Sequence, residues 1–213
     1  TEDISKCILD EIENQEKISL ILMGWPGKLE EEELAHNVVN EVLISAKTNV
    51  AVLKDKGMRP IRNILVPIGG GPHSRLGLQI AFEIAESERA HLNVFRTYPF
   101  SLPVDDIQDQ MAQLEEIIID ELGSFPSRVS ANIGEAPNVL DGILAETARY
   151  SYDLMVIGAS EEWISRHNLF GWIDDQIVLQ SPSSVLLVRR YEPVMINWLR
   201  RQVKRVVEAD PQT

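Results

Sequence analysis

The chain has 213 residues, 44% hydrophobic and 25% charged, ordinary globular usage that excludes a disordered, collagenous or disulfide-scaffold protein and suits one full domain plus a remainder. Twenty Lys and Arg against 33 Asp and Glu leave a formal charge of −13, the wrong sign for gripping a phosphate backbone, so no nucleic acid partner is expected. Cys7 is the only cysteine, so no disulfide can close within the chain and a reducing setting is the simpler expectation.

The chain opens on Thr1 in an acidic helical pattern, which suggests a piece of something longer. Ile18 to Met23 then reads as a strand ending in Gly24, Glu30 to Ala46 as a helix, and Asn49 to Lys54 as a second strand before the turn-prone pair Lys56-Gly57. Met58 to Pro60 reads as a junction. Beyond it, short apolar runs at Asn63 to Ile68, His91 to Tyr98, Arg128 to Ile133, Asp153 to Gly158 and Ser184 to Val188 alternate with amphipathic stretches. Leu76, Ile80 and Ile84 recur every fourth residue, and Ile107, Met111, Leu114, Ile118 and Leu122 every third or fourth. Val139, Ile143 and Thr147 repeat the pattern. Each stretch can lay one apolar face on a sheet, so the expectation is an α/β protein with a doubly wound, mostly parallel open sheet. None of the apolar runs approaches the ~18 residues that a membrane-spanning helix needs.

The first sixty residues look like half of the later unit. Laying Gly24 on Gly158 gives an ungapped offset that carries Ile18–Leu53 onto Tyr152–Leu187, strand over strand, with Leu22-Met23-Gly24 on Val156-Ile157-Gly158 and Val52-Leu53 on Leu186-Leu187. This reads as an internal repeat whose first copy lacks its opening strands. The domain assignment is a partial unit at 1–57, a complete unit at 61–190, and a basic amphipathic helix and tail at 191–213.

These residues resemble the universal stress protein family. Ile64-Leu65-Val66-Pro67 followed by Gly69-Gly70-Gly71 is similar to its opening strand and loop. The stretch Tyr152 to Gly158, with Gly171 and then Ser183 to Val188, is similar to its fourth strand, nucleotide loop and last strand. The resemblance implies the Rossmann-like strand order 3-2-1-4-5. It also implies self-association through the last strands, here residues 50–54 and 184–188, which could pair within the chain as a pseudo-dimer. Nucleotide-binding members carry G-x2-G-x9-G-[S/T] after the fourth strand, where glycines let amides approach phosphate and a hydroxyl adds a donor. Here Gly158 and Gly171 stand at two of those positions, but Glu161 and Trp172 occupy the others. The partial unit keeps Gly24 and Gly27, with Asn37-Val38 in place of Gly-Ser, and Gly69 stands where the family's nucleoside-contacting Asp would be. The implied site is therefore degenerate, formed from Gly69, Gly70, Gly71, His73, Ser74, Gly158, Ser160 and Gly171, with no cofactor expected and ATP or AMP as the alternative. His73 or Ser74 is the expected cap of the helix after the glycine run.

Gly158-Ala159-Ser160-Glu161-Glu162 comes within one residue of a nucleophile elbow, yet no histidine follows His167 to serve as a late triad base. His36, His73, His91 and His167 show no metal-ligand spacing. No enzymatic activity is expected. Trp163, Phe170 and Trp172 read as packing in the cleft or against a neighbouring domain, and Asp174 and Asp175 as surface. Arg189 to Glu208 holds six basic residues against two acidic ones, with Ile196, Leu199, Val203 and Val206 on one helical face, so residues 194–207 could dock on the domain, a partner or an anionic membrane surface. The loop Gly158 to Trp163, the Lys54-to-Gly57 junction and this tail resemble stress-protein domains appended to amino-acid permease and cation–chloride cotransporter type transporters. That resemblance implies a non-enzymatic regulatory module of a longer transporter chain, tethered to the inner face of the cell membrane. The alternative is a nucleotide sensor.

Overall fold

The computed structural model describes residues 3–15, 17–27, 37–57, 60–100, 102–159 and 172–193. In chain order these form α1 (Ile4–Asn14), β1 (Leu20–Gly24), α2 (Val38–Ser45), β2 (Asn49–Lys54), β3 (Asn63–Pro67), α3 (Pro72–Glu88), β4 (His91–Tyr98), α4 (Val104–Leu122), β5 (Val129–Glu135), α5 (Val139–Arg149), β6 (Leu154–Gly158), α6 (Trp172–Gln180) and β7 (Ser184–Arg189). The strands make one seven-stranded sheet in the order β1-β2-β7-β6-β3-β4-β5, parallel throughout except between β2 and β7.

Counted from β3, the last five strands run 3-2-1-4-5, the doubly wound order expected. Consecutive parallel strands need a helical crossover. Here α3 and α4 carry two crossovers on one face, while α5 and α6 return on the other. One face therefore buries Ile64, Val66, Leu92, Val94, Leu154 and Val156 with Leu78, Ala81 and Leu114. The other buries Leu65, Phe95, Met155, Ile157 and Leu187 with Ile143, Ile177 and Val42. The inner strand β6 reads Leu-Met-Val-Ile without alternation because both of its faces are covered.

The pairing of β2 with β7 takes place within the chain. Val50 faces Arg189, Val52 faces Leu187 and Lys54 faces Val185 in antiparallel register. Each strand also has a parallel partner on its other side, β1 for β2 and β6 for β7, so neither keeps an open edge for a second copy. Side chains reinforce the join. Arg189 Nη2 donates to the carbonyls of Ala46 and Thr48 at 2.8 and 2.9 Å, and Lys54 Nζ donates to the Val178 carbonyl at 2.6 Å. Asn49 Oδ1 accepts from the Tyr191 amide at 2.9 Å. Burial pushes the Arg189 guanidinium down to about 10.

The repeat is present in topology, since β1-α2-β2 and β6-α6-β7 are both parallel strand–helix–strand units, but the ungapped alignment slips. Leu20 pairs with Asn49, whereas its counterpart Leu154 pairs with Ser184 rather than Ser183. The second unit holds one more residue between its strands, so Val50 and Val52 match Val185 and Leu187, all four on one sheet face. The pairing of Val52-Leu53 with Leu186-Leu187 is corrected accordingly, because a one-residue slip would move every side chain to the opposite face.

Other expectations shift locally. Of the helix expected at Glu30 to Ala46, the described part is α2, whose N-cap Asn37 accepts a hydrogen bond from the Val39 amide at 2.9 Å. Asn37 in the Gly-Ser position thus serves as a helix cap. The strand expected to end at Ile133 continues to Glu135 and pairs along its whole length with β4.

Candidate functional site

A doubly wound sheet opens a crevice where neighbouring strands send their connections to opposite faces, outside the carboxyl ends of the strands. That switch point lies between β3 and β6. There the chain forms a cavity of about 850 Å³ lined by Gly69 to Ser74, Phe95 to Thr97, Gln110, Gln113, Gly158, Ala159 and Asp174, with Ile117, Ile143, Ile157 and Ile177 as an apolar floor. The size and the mixture of apolar walls with a few polar groups are those of a small-molecule site.

The glycine loop positions the cavity's polar edge. Gly70 has φ +86°, a left-handed conformation that costs a side-chain-bearing residue about 1–2 kcal/mol. The N-cap of α3 is Gly71, followed by Pro72, and no side chain caps the helix. This corrects the expected cap at His73 or Ser74: the Ser74 hydroxyl donates back to the Gly71 carbonyl at 2.9 Å. The first amides of α3 lack intrahelical acceptors and form the positive end of the helix dipole.

The sheet supplies a cation beside this loop. Arg96 projects from the end of β4, half-buried, with Nε 3.4 Å from the Ile68 carbonyl and Nη1 3.3 Å from Gln110 Oε1. A side-chain carbon on Gly70 would lie 3.6 Å from its Nη2. Among the described residues Arg96 has no carboxylate partner, and burial together with the nearby Arg75 charge lowers its guanidinium from the usual range. Arg75 is occupied elsewhere, donating to Glu121 at 2.7 Å and to the Gly70 carbonyl at 3.1 Å. Arg96 was absent from the sequence-based site. Its signal was a charged residue near the end of the strand His91 to Tyr98, directly after Val94-Phe95 and beside a switch point.

The residues expected at the site divide into three groups. Gly69, Gly70, Gly71, His73, Ser74 and Gly158 come together around the cavity, whereas Ser160 and Gly171, with Glu161, Trp163, His167 and Phe170, lie outside the described residues. His73 is buried, and its Nδ1 accepts the Arg190 amide at 3.0 Å, so the ring ties the end of β7 to α3. Gly158 serves close packing: a side-chain carbon there would sit 2.2 Å from the Ser74 nitrogen. Trp172 is 58% exposed and fills no cleft, while Asp174, expected at the surface, is buried at the start of α6. Among the described residues no group of three His, Cys, Asp or Glu could hold a metal ion, and no helix is long and apolar enough to cross a membrane.

Comparison with known proteins agrees with this architecture. The chain is similar in fold to a universal stress protein from Archaeoglobus fulgidus, with a TM-score of 0.61 at 19% identity, covering 87% of this chain and 66% of that one. A protein of Pseudomonas aeruginosa described as functionally unknown matches with a TM-score of 0.53 at 16% identity, covering 97% of this chain and 73% of that one. A universal stress protein in complex with cAMP matches with a TM-score of 0.50 at 17% identity, covering 62% of this chain and 98% of that one. This chain thus spans just under two thirds of the A. fulgidus protein. No curated protein matches the sequence. The sequence itself matches the Universal stress protein family over residues 60–189, the stretch from the residues before β3 to the end of β7; the chain belongs to the universal stress protein family.

Proposed function

We propose that the switch-point cavity binds a nucleotide and that the chain is a non-enzymatic regulatory domain that responds to it. The observation that carries this reading is Arg96, a half-buried cation without a carboxylate partner, beside a glycine loop and an uncapped helix N-terminus. Backbone amides and a guanidinium converging on one edge suit phosphate, and the isoleucine floor suits a base. The fold relative solved with cAMP puts cyclic and linear adenine nucleotides first among the ligands to try. The amides, Arg96, Gln110 and Gln113 are binding groups, so the ligand is sensed rather than turned over.

Thermal unfolding with ATP, AMP, cyclic AMP and cyclic di-AMP tests the reading. A ligand at 100 times its dissociation constant stabilises by about 2.7 kcal/mol, a rise of roughly 5–11 °C for a chain of this size. No rise with any of the four would defeat it.

Attachment to a membrane transporter is the second reading. It rests on the loop Gly158 to Trp163, the junction at Lys54 to Gly57 and the basic tail 194–207, most of which lie outside the described residues. Recovery of the chain with membranes, reversed by high salt and lost when residues 194–213 are removed, supports surface contact by that tail.

A further inference from the structure

A second cleft, separate from the nucleotide cavity and sharing only Phe95 with it, lies over β4 and β5 on the face that α5 covers in part. It encloses about 760 Å³. One close approach seats the start of α5 on β4, and another packs β5 against the same strand. A side-chain carbon on Gly142 of α5 would stand 2.1 Å from Thr97 Cγ2, and one on Gly134 of β5 would stand 2.7 Å from the Phe95 ring. The helix thus leans on β4 and leaves the polar ends of β4 and β5 open to the cleft.

The floor is a connected hydrogen-bond network around two buried side chains, Asn93 at 6% and Glu146 at 8% exposure. Asn93 Nδ2 donates to Glu146 Oε1 at 3.1 Å and to the Tyr152 hydroxyl at 2.6 Å. Tyr152 donates its own hydrogen to Glu146 Oε1 at 2.7 Å. Asn93 Oδ1 accepts from Asn132 Nδ2 at 2.6 Å and from Ser130 Oγ at 3.3 Å. With the Ser130 hydrogen so used, His91 Nε2 donates in its 3.1 Å contact with Ser130.

At the centre of the network these bonds spend the donors and leave acceptors. Asn93 has used both amide hydrogens, and Tyr152 its only one. Glu146 Oε2 accepts no hydrogen bond among the described residues, and Glu146 forms no ion pair there. Arg149, exposed at the rim, pairs with no carboxylate among them. Glu135 adds a second carboxylate to the wall. Glu146 Oε2 is not among the buried atoms left without a partner, so beside the two hydrogen bonds to Oε1 it is open to the cleft, where a cationic donor could complete the carboxylate.

We infer that this cleft is a binding site for a small organic cation, whose ammonium or guanidinium hydrogens complete Glu146 and whose other end lies towards Glu135. The site stands independently of the nucleotide reading.

Isothermal titration of the full chain at physiological salt tests it, with putrescine and agmatine as probes and glycerol and glutamate as neutral and anionic controls. The salt suppresses general attraction to a chain of charge −13. One saturable site for a cationic probe and none for the controls is expected. Glu146→Gln, which keeps an acceptor for Asn93 and Tyr152, should weaken the site at least about tenfold, the value of a charged hydrogen bond. Glu135→Gln is exposed and outside the buried network, so it reports on the site even if the Glu146 variant folds poorly. Asp105→Asn, remote from the cleft, should change nothing. Absence of a saturable site, equal binding of glycerol, or unchanged affinity in both glutamate variants would overturn the assignment.

Discussion

A side-chain carbon on Gly158 would lie 2.2 Å from the backbone nitrogen of Ser74, so the end of β6 and the first turn of α3 touch backbone to backbone. The same contact brings the amides of α3 to the mouth of the switch-point cavity. Glycine is required there for packing, whatever the cavity binds. Gly158→Ala should therefore lower stability by about 1–3 kcal/mol, the usual cost of forcing a methyl into a filled space, and lower the unfolding midpoint by several degrees. Gly69→Ala is the control, since a carbon there meets nothing within 4 Å and its φ is not positive; its midpoint should stay within a degree or two of the parent chain. Equal midpoints for the two variants would contradict this view of Gly158.

The β2–β7 join predicts what happens when the partial unit is removed. Without residues 1–57, β7 would present the unpaired groups of Ser184 to Arg189 along a bare edge, and its apolar row Val185 and Leu187 would lose Val50 and Val52. An edge of that kind recruits another strand. Light scattering should find that the shortened chain gains one step of self-association relative to the full chain, the last strand of one copy pairing antiparallel with that of the next. A shortened chain with the same association state as the full one would mean that the join is incidental.

Tyr152 gives a dependence on pH with a defined sign. Burial, followed by the hydrogen bond to Glu146, raises its phenol above the usual value of about 10. The folded chain therefore favours the protonated phenol, and this contribution is complete below pH 10 and is lost as pH rises towards the folded value. Stability should fall above about pH 10 and the fall should be smaller in Tyr152→Phe, as read by chemical denaturation across pH 8 to 11. An identical alkaline loss in the variant would remove Tyr152 as its source.

Much of the fold was legible because both sheet faces of the later unit are filled, which leaves unbroken apolar runs at β3 and β6 bounded by glycines. The amphipathic rows of α3, α4 and α5 were equally plain, each being a single stripe laid on the sheet. The repeat could be seen, but not its one-residue slip, because Val-Ala-Val-Leu and Val-Leu-Leu-Val align equally well at either register until the pairing of Gly24 with Leu53 and Gly158 with Val188 fixes it. The glycines of the site stood out by spacing. Arg96 and Asp174 did not, since their importance depends on which strand and helix end beside the loop, a matter of topology rather than of neighbours in sequence. Glu146 was still less visible, lying on an ordinary helical face that only the lean of α5 turns towards Asn93 and Tyr152.

If Arg96 and the glycine loop receive a phosphate, titration calorimetry with AMP and cyclic AMP will distinguish the parent chain from Arg96→Gln. Gln removes the charge while keeping a side chain able to reach Gln110, so loss of a charged hydrogen bond should weaken binding by about 1.5–3 kcal/mol, roughly 10- to 150-fold. Binding of either nucleotide to the parent chain with that loss in the variant is the predicted result. Equal affinity in the two chains, or no heat with either nucleotide, would contradict it.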